Sequence, residues 1–125
     1  MRQKVAAFLH GGSVESVPFF ASCDNVTRQF IISALEPRIF LLSDNIVNQG
    51  EIGKDMFFIV KGNVAVLSLE NAVTYYILGS GDYFGEACLV GATPRITTVN
   101  ALSYCNCYVL KKKESIIQNI FSHSK

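Results

Sequence analysis

The 125-residue chain predicts an α+β domain that is mainly β. About eight short antiparallel strands would form a β-barrel or jelly roll with helices at both ends. Three observations carry this expectation. From Arg38 onward the apolar residues abandon helical spacing for a period of two. Turn-forming residues punctuate those runs at Ser43-Asp44-Asn45, Gly50, Gly53, Lys61-Gly62, Glu70-Asn71 and Gly79-Ser80-Gly81. Helical spacing returns only after Lys111. The length suits one domain, and 50% apolar residues can build a core without disulfides.

Taken in order, residues 2–9 place Val5, Phe8 and Leu9 on one side of a helix that Gly11-Gly12 stops. Ser13 caps a second short helical piece carrying Glu15 and Val17, broken by Pro18, and Phe19-Phe20 forms an apolar anchor. Asp24 or Asn25 caps a helix running to about Leu35, which buries Phe30, Ile31 and Leu35 and is closed by Pro37. Strands are expected over residues 38–42, 46–48, 56–60, 63–69, 73–78, 97–102 and 104–110, with Tyr83 and Phe84 leading into the stretch that follows. Lys61-Gly62 reads as a tight hairpin, and the last two strands read as another. Gly50 and Gly53 suit a turn with positive φ angles. Lys111 to Lys113 begin a final helix with Ile116, Ile117, Ile120 and Phe121 on its apolar side.

The composition removes several function classes. A formal net charge of +1 gives no global case for binding nucleic acid or an anionic membrane. No apolar run approaches the roughly 20 residues of a membrane span. The N-terminal MRQKVAAFLHGG is too short in its apolar part for a signal peptide and reads as the tail of a helix from a longer protein. Four cysteines, Cys23, Cys88, Cys105 and Cys107, form no C-x-x-C pair, and Cys105 and Cys107 share a face if they lie on a strand. Reduced, mostly buried thiols in a cytosolic setting are expected. The two histidines, His10 and His123, sit near opposite ends, which argues against zinc and against a cupin-type metalloenzyme. No Ser–His–Asp or Cys–His set and no close carboxylate pair stands out, so the chain is expected not to be an enzyme and to need no metal or cofactor.

One stretch carries chemistry: residues 84–99, FGEACLVGATPRITTV. A turn at Gly85 leads into a short apolar helix at 87–90. Gly91 and Pro94 then bend the chain back and present Arg95. Free N–H groups at a helix start favour an anion, and a guanidinium adds a forked pair of charge-assisted hydrogen bonds. Arg95 taken alone would read as a surface arginine in a structural salt bridge; its setting favours anion binding. Glu86 would repel a phosphate, so it makes sense as an acceptor for a hydroxyl of the same ligand, such as a ribose.

With these residues in place, the stretch resembles the phosphate-binding cassette of cyclic nucleotide-binding domains: Phe-Gly-Glu, a short apolar helix, then Arg, small or hydroxyl residues and Val. GEIGKDMFFIVKG (50–62) is similar to the family's glycine-bounded hairpin, and LGSGDYFGE (78–86) to its lead into the cassette. The resemblance covers about residues 16–122, and residues 1–15 look like the end of a linker helix from channels of the cyclic nucleotide-gated and hyperpolarisation-activated type. It implies an eight-stranded antiparallel jelly-roll barrel with a short phosphate-binding helix. It also implies that Arg95 holds the cyclic phosphate with N–H groups at Ala87 and Cys88, and that Gly85 and Glu86 hold the ribose 2′-hydroxyl. Val66, Tyr76 and Leu78 occupy positions where the family packs the purine. One departure is Ile96, where many cGMP-responsive members carry threonine or serine; isoleucine cannot bond the guanine amino group. The lean is therefore to cAMP over cGMP, with Thr97 able to compensate in part. The family's closing lid helix is expected to be absent or truncated. The implied role is the regulatory domain of an ion channel at the cytoplasmic face of the plasma membrane. Its partners would be the transmembrane domains of the parent chain, assembled as a homotetramer, and no nucleic acid. A sperm-type sodium/proton exchanger, a cyclic nucleotide-dependent kinase and a ligand-free interaction domain of the same fold are the alternatives. A transcription factor is disfavoured, since no helix-turn-helix follows the strands.

Overall fold

Asp24 opens the first described helix by capping it: its carboxylate accepts the Thr27 N–H at 2.8 Å, and α1 follows over Asn25–Ala34. The computed structural model describes residues 24–68, 73–89 and 91–113. The helices expected at 2–9 and 13–17, the Phe19-Phe20 anchor, Cys23, the Glu70-Asn71 turn and the helix positions Ile116 to Phe121 lie outside the described residues, as do both histidines. Ile31 is fully buried, while Phe30 and Leu35 pack at the edge of the same cluster.

Among the described residues eight strands follow: β1 (Glu36–Phe40), β2 (Asn45–Val47), β3 (Asp55–Lys61), β4 (Val64–Ser68), β5 (Val73–Leu78), β6 (Tyr83–Phe84), β7 (Thr98–Ala101) and β8 (Cys105–Lys111). They form two antiparallel four-stranded sheets, in the orders β1-β8-β3-β6 and β2-β7-β4-β5. The architecture is the mainly β jelly roll that the strand pattern predicts. Between the sheets lie Phe57, Ile59, Cys105, Cys107 and Val109 from one side and Val64, Val66, Val99 and Ala101 from the other. Phe57 stacks on Phe84 with centroids 4.9 Å apart and meets Phe40 edge-on at 6.0 Å. The opposite face of the first sheet presents Met56, Phe58, Tyr108 and Leu110 to Ile31, Cys88 and Leu89. β3 is therefore buried on both faces, which explains why Met-Phe-Phe-Ile is a continuous apolar run rather than an alternation.

Several expectations need correction. α1 ends before Pro37 as expected, but Pro37 also belongs to the first strand, which begins earlier than residue 38. Leu35 already has extended backbone, and Pro37 sits inside β1 opposite Tyr108. β1 is an edge strand, where a missing N–H costs no ladder bond on the open side. Neither expected hairpin exists. Lys61 and Val64 belong to different sheets, and so do Ala101 and Cys105, so both connections cross the sandwich. The two crossings brace each other. Leu102 N–H donates to the Asn63 carbonyl at 2.9 Å, and Asn63 N–H to the Ser103 hydroxyl at 3.1 Å. Gly62 makes that contact possible with φ +104°, since a Cβ there would lie 2.5 Å from the Tyr104 carbonyl oxygen. Gly50 has the expected positive φ of +92°, but Gly53 does not. Lys111 ends β8 rather than starting a helix, and Lys112 N–H bonds the Lys54 carbonyl at 2.8 Å. The helix expected at 87–90 is a single 3-10 turn, Glu86–Leu89. Cys88, Cys105 and Cys107 are free and buried, and both strand cysteines face the sandwich interior.

Candidate functional site

The site is built where β6 runs out. Phe84 is anchored in the core, and Gly85 then turns the chain with φ +87°, a conformation that L side chains resist. The 3-10 turn that follows buries Cys88 and Leu89 and leaves Glu86 half-buried and Ala87 exposed. The Cys88 N–H reaches the Gly85 carbonyl at 3.4 Å, a long bond that only partly engages it.

Arg95 is held from both ends. Its backbone is pinned to the 50–53 loop: Arg95 N–H donates to the Glu51 carbonyl at 2.7 Å, and Gly50 N–H to the Arg95 carbonyl at 2.8 Å. An isolated bridge between Ile52 and Pro94 and a bond from Gly53 N–H to the Thr93 carbonyl at 3.3 Å continue the pairing. A row of amides braces that loop, running from Asn100 to Asn45 at 2.8 Å, Asn45 to Asn48 at 3.1 Å, and Asn48 to the Glu51 carboxylate at 3.2 Å. The guanidinium donates to the Asp55 carbonyl at 2.6 Å and to the Gly85 carbonyl at 3.3 Å. Two of its five N–H donors are thus engaged, and both acceptors are neutral. No described carboxylate pairs with it; the ion pairs among the described residues are Arg38–Asp55 at 3.5 Å and Lys111–Glu36 at 3.4 Å. Asp55 therefore gives its carboxylate to Arg38 and its carbonyl to Arg95.

These groups face a cavity of about 530 Å³, within the roughly 300–1,000 Å³ usual for small-ligand sites. All ten residues singled out from the sequence line it: Val66, Tyr76, Leu78, Gly85, Glu86, Ala87, Cys88, Arg95, Ile96 and Thr97. Sequence reasoning missed Val47, Gly53, Tyr83, Phe84, Thr93, Pro94 and Val99, which share the wall. Val47 and Val99 read as ordinary strand residues, and only the pairing of β2 with β7 brings them here. One wall is apolar, made by Val66, Leu78 and Val99 with the half-exposed Tyr76; the other carries Glu86, Arg95 and Thr97. Ile96 stands at the rim, 85% exposed. Burial is the main cause that raises the Tyr83 hydroxyl above its ordinary 10.0, with neighbouring Glu86 adding to it. Burial likewise pushes up the Cys88 thiol, against the pull of Arg95 and Lys112. Both stay protonated at neutral pH, so the polar wall offers one cation, one carboxylate and neutral donors. Such a wall suits an anion with a hydroxyl, and the facing wall suits a flat apolar group. Among the described residues no cluster of three His, Cys, Asp or Glu side chains could hold a metal ion, and no helix is long and apolar enough to cross a membrane.

The family profile described as "Cyclic nucleotide-binding domain" matches residues 37–121. Potassium/sodium hyperpolarization-activated cyclic nucleotide-gated channel 4 of Homo sapiens is 36% identical over 110 residues, which is 88% of this chain and 9% of the channel. Cyclic nucleotide-gated channel alpha-4 of Mus musculus is 25% identical over 120 residues, 91% of this chain and 21% of that protein. The chain thus spans only a small part of the relatives it matches. Among solved structures, the regulatory domain of Toxoplasma gondii PKA, co-crystallised with cAMP, superposes with a TM-score of 0.77 at 23% identity, covering 86% of this chain and 41% of that one. The regulatory subunit of a cAMP-independent protein kinase A from Trypanosoma brucei gives 0.75 at 22% identity, covering 97% and 43%. These two likenesses establish the fold. In channels, domains of the matched family are regulatory rather than catalytic. With the profile matched over most of its length, the chain belongs to the cyclic nucleotide-binding domain family.

Proposed function

We propose that the cavity binds a cyclic nucleotide, cAMP in preference to cGMP, and that the chain is the cytoplasmic regulatory domain of a plasma-membrane ion channel whose parent protein is a homotetramer. The observation that carries the binding reading is Arg95, a half-buried guanidinium turned into a cavity with carbonyl partners and no described counter-ion. A cyclic phosphate supplies the missing charge. Glu86 accepts the ribose hydroxyl, and the base lies against Val66, Leu78 and Tyr76. The cAMP preference rests on Ile96, which brings no hydrogen-bonding group to the rim for a guanine amino group. The channel reading rests on kinship with the two channels. The fold alone does not decide for cAMP, since one neighbour of the same architecture is described as cAMP-independent.

Regulation then follows from competition around Gly85. Its carbonyl holds both Arg95 and the 3-10 turn, so a phosphate drawing on the guanidinium and on Ala87 N–H shifts that turn relative to β3. Gating requires that the nucleotide bind one arrangement better than the other; tight binding to both would shift nothing.

Calorimetry with cAMP and cGMP tests the reading. The chain should bind both, cAMP more tightly, and Arg95→Ala should weaken either by at least about a hundredfold, the low end of the value of two charged hydrogen bonds. Equal binding by the variant would remove Arg95 from the phosphate, and tighter binding of cGMP would overturn the preference.

A further inference from the structure

We propose that Gly53 is a positioning residue for Arg95: its missing side chain is the seat in which the guanidinium lies. The inference rests on the nucleotide-binding reading for its effect on affinity, but not for its effect on Arg95 itself. A Cβ at Gly53 would stand 2.7 Å from Arg95 Cζ, 2.8 Å from Nε and 3.0 Å from Nη1. No other group lies closer to that point. Gly53 is buried and its φ is outside the positive region, so no left-handed backbone demands glycine there. The need for glycine is thus one of space alone, in contrast to Gly85, where positive φ and crowding coincide.

The surroundings decide which group would give way. The backbones on both sides are locked together by the Gly50–Arg95, Arg95–Glu51 and Gly53–Thr93 hydrogen bonds, so neither can retreat. What can move is the far end of a flexible side chain. An alanine at position 53 would swing the guanidinium off the Asp55 and Gly85 carbonyls while leaving the sandwich intact, because the core clusters include neither residue. Gly53 therefore serves the ligand through the rotamer of Arg95 rather than by touching the ligand.

The test is Gly53→Ala in the 125-residue chain, with two independent readouts. A crystal structure of the ligand-free variant should show the guanidinium displaced from both carbonyls, with a melting temperature close to that of the parent. Titration with cAMP should show affinity reduced by about ten- to a hundredfold, and Gly53→Ala/Arg95→Ala should bind no more weakly than Arg95→Ala alone. An unmoved guanidinium in the variant overturns the proposal whatever the ligand does. So does an additive double variant, which would mean that Gly53 acts by another route. If the parent chain fails to bind cAMP, the nucleotide reading falls and the crystallographic comparison alone decides the role of Gly53.

Discussion

Ile96 and Arg95 are neighbours with opposite settings, and the contrast locates affinity and selectivity in different atoms. Arg95 is fixed by its backbone and by two carbonyls, whereas Ile96 projects from the rim, 85% exposed. A residue so exposed can be changed with little effect on folding, so Ile96→Thr should alter ligand choice almost alone. Supplying a hydroxyl there should strengthen cGMP relative to cAMP by about fivefold, the net value of one hydrogen bond. Calorimetry with both nucleotides would read it, and an unchanged ratio would move selectivity to Thr97 or to the purine wall. Of the ten site residues that line the cavity, Gly85, Glu86 and Arg95 were legible from local chemistry, a turn, a helix start and a cation, and the others only through the family resemblance. Gly53 was not legible. A glycine in a sequence suggests freedom of φ, and the space its missing side chain leaves is visible only once the guanidinium above it has been placed.

Among the elements, the strands themselves were easier to read than their partners. Period-two runs and turn residues marked seven of the eight, with ends displaced by at most two positions, and the two-residue β6 is too short to carry such a run. Yet Lys61-Gly62 and residues 102–104 were taken for hairpins, because a short polar turn looks the same in sequence whether the chain folds back beside itself or crosses to a second sheet. Pro37 hid the start of β1 for a related reason, since a proline that follows a helix also fits an edge strand. The crossing at Gly62 makes the distinction measurable. Gly62→Ala would meet both a positive φ and a carbonyl oxygen 2.5 Å away, with the Cys105 sulfur at 2.7 Å. We expect a loss of about 2–4 kcal/mol in urea denaturation, combining backbone strain with overpacking. A hairpin turn open to solvent would lose only the strain, so a cost near 1 kcal/mol would show that the two crossings do not lean on each other.

For the molecule as a whole, buried weak acids set the pH range. Burial, reinforced by neighbouring Cys105 and offset by Arg38, pushes the Cys107 thiol up from 9.0 to about 12, and Cys88 and Tyr83 shift in the same direction. A raised folded-state value means that the folded chain holds protons the unfolded chain would release. Stability from these groups is complete below pH 9 and is lost as the pH climbs toward 12. The urea midpoint should thus be flat from these groups between pH 7 and about 9, then fall toward pH 11. Cys107→Ala should lower the midpoint at pH 7, where it leaves a small cavity, and make the alkaline fall shallower. An equally steep fall in that variant would assign the alkaline loss to other groups.

The order of the strands carries a consequence for synthesis. Of all the neighbours in the two sheets, only β4 and β5 follow one another in the chain, and β1 finds its partner in β8, with Glu36 opposite Val109. Contacts between such distant residues close large loops before they return any free energy, which makes formation slow. On a ribosome the first sheet has no complete template until the residues around Val109 have left the exit tunnel. Until then β3, apolar on both faces, has only the two-residue β6 to pair with in a growing chain, and it is the segment for which a chaperone would have most to shield.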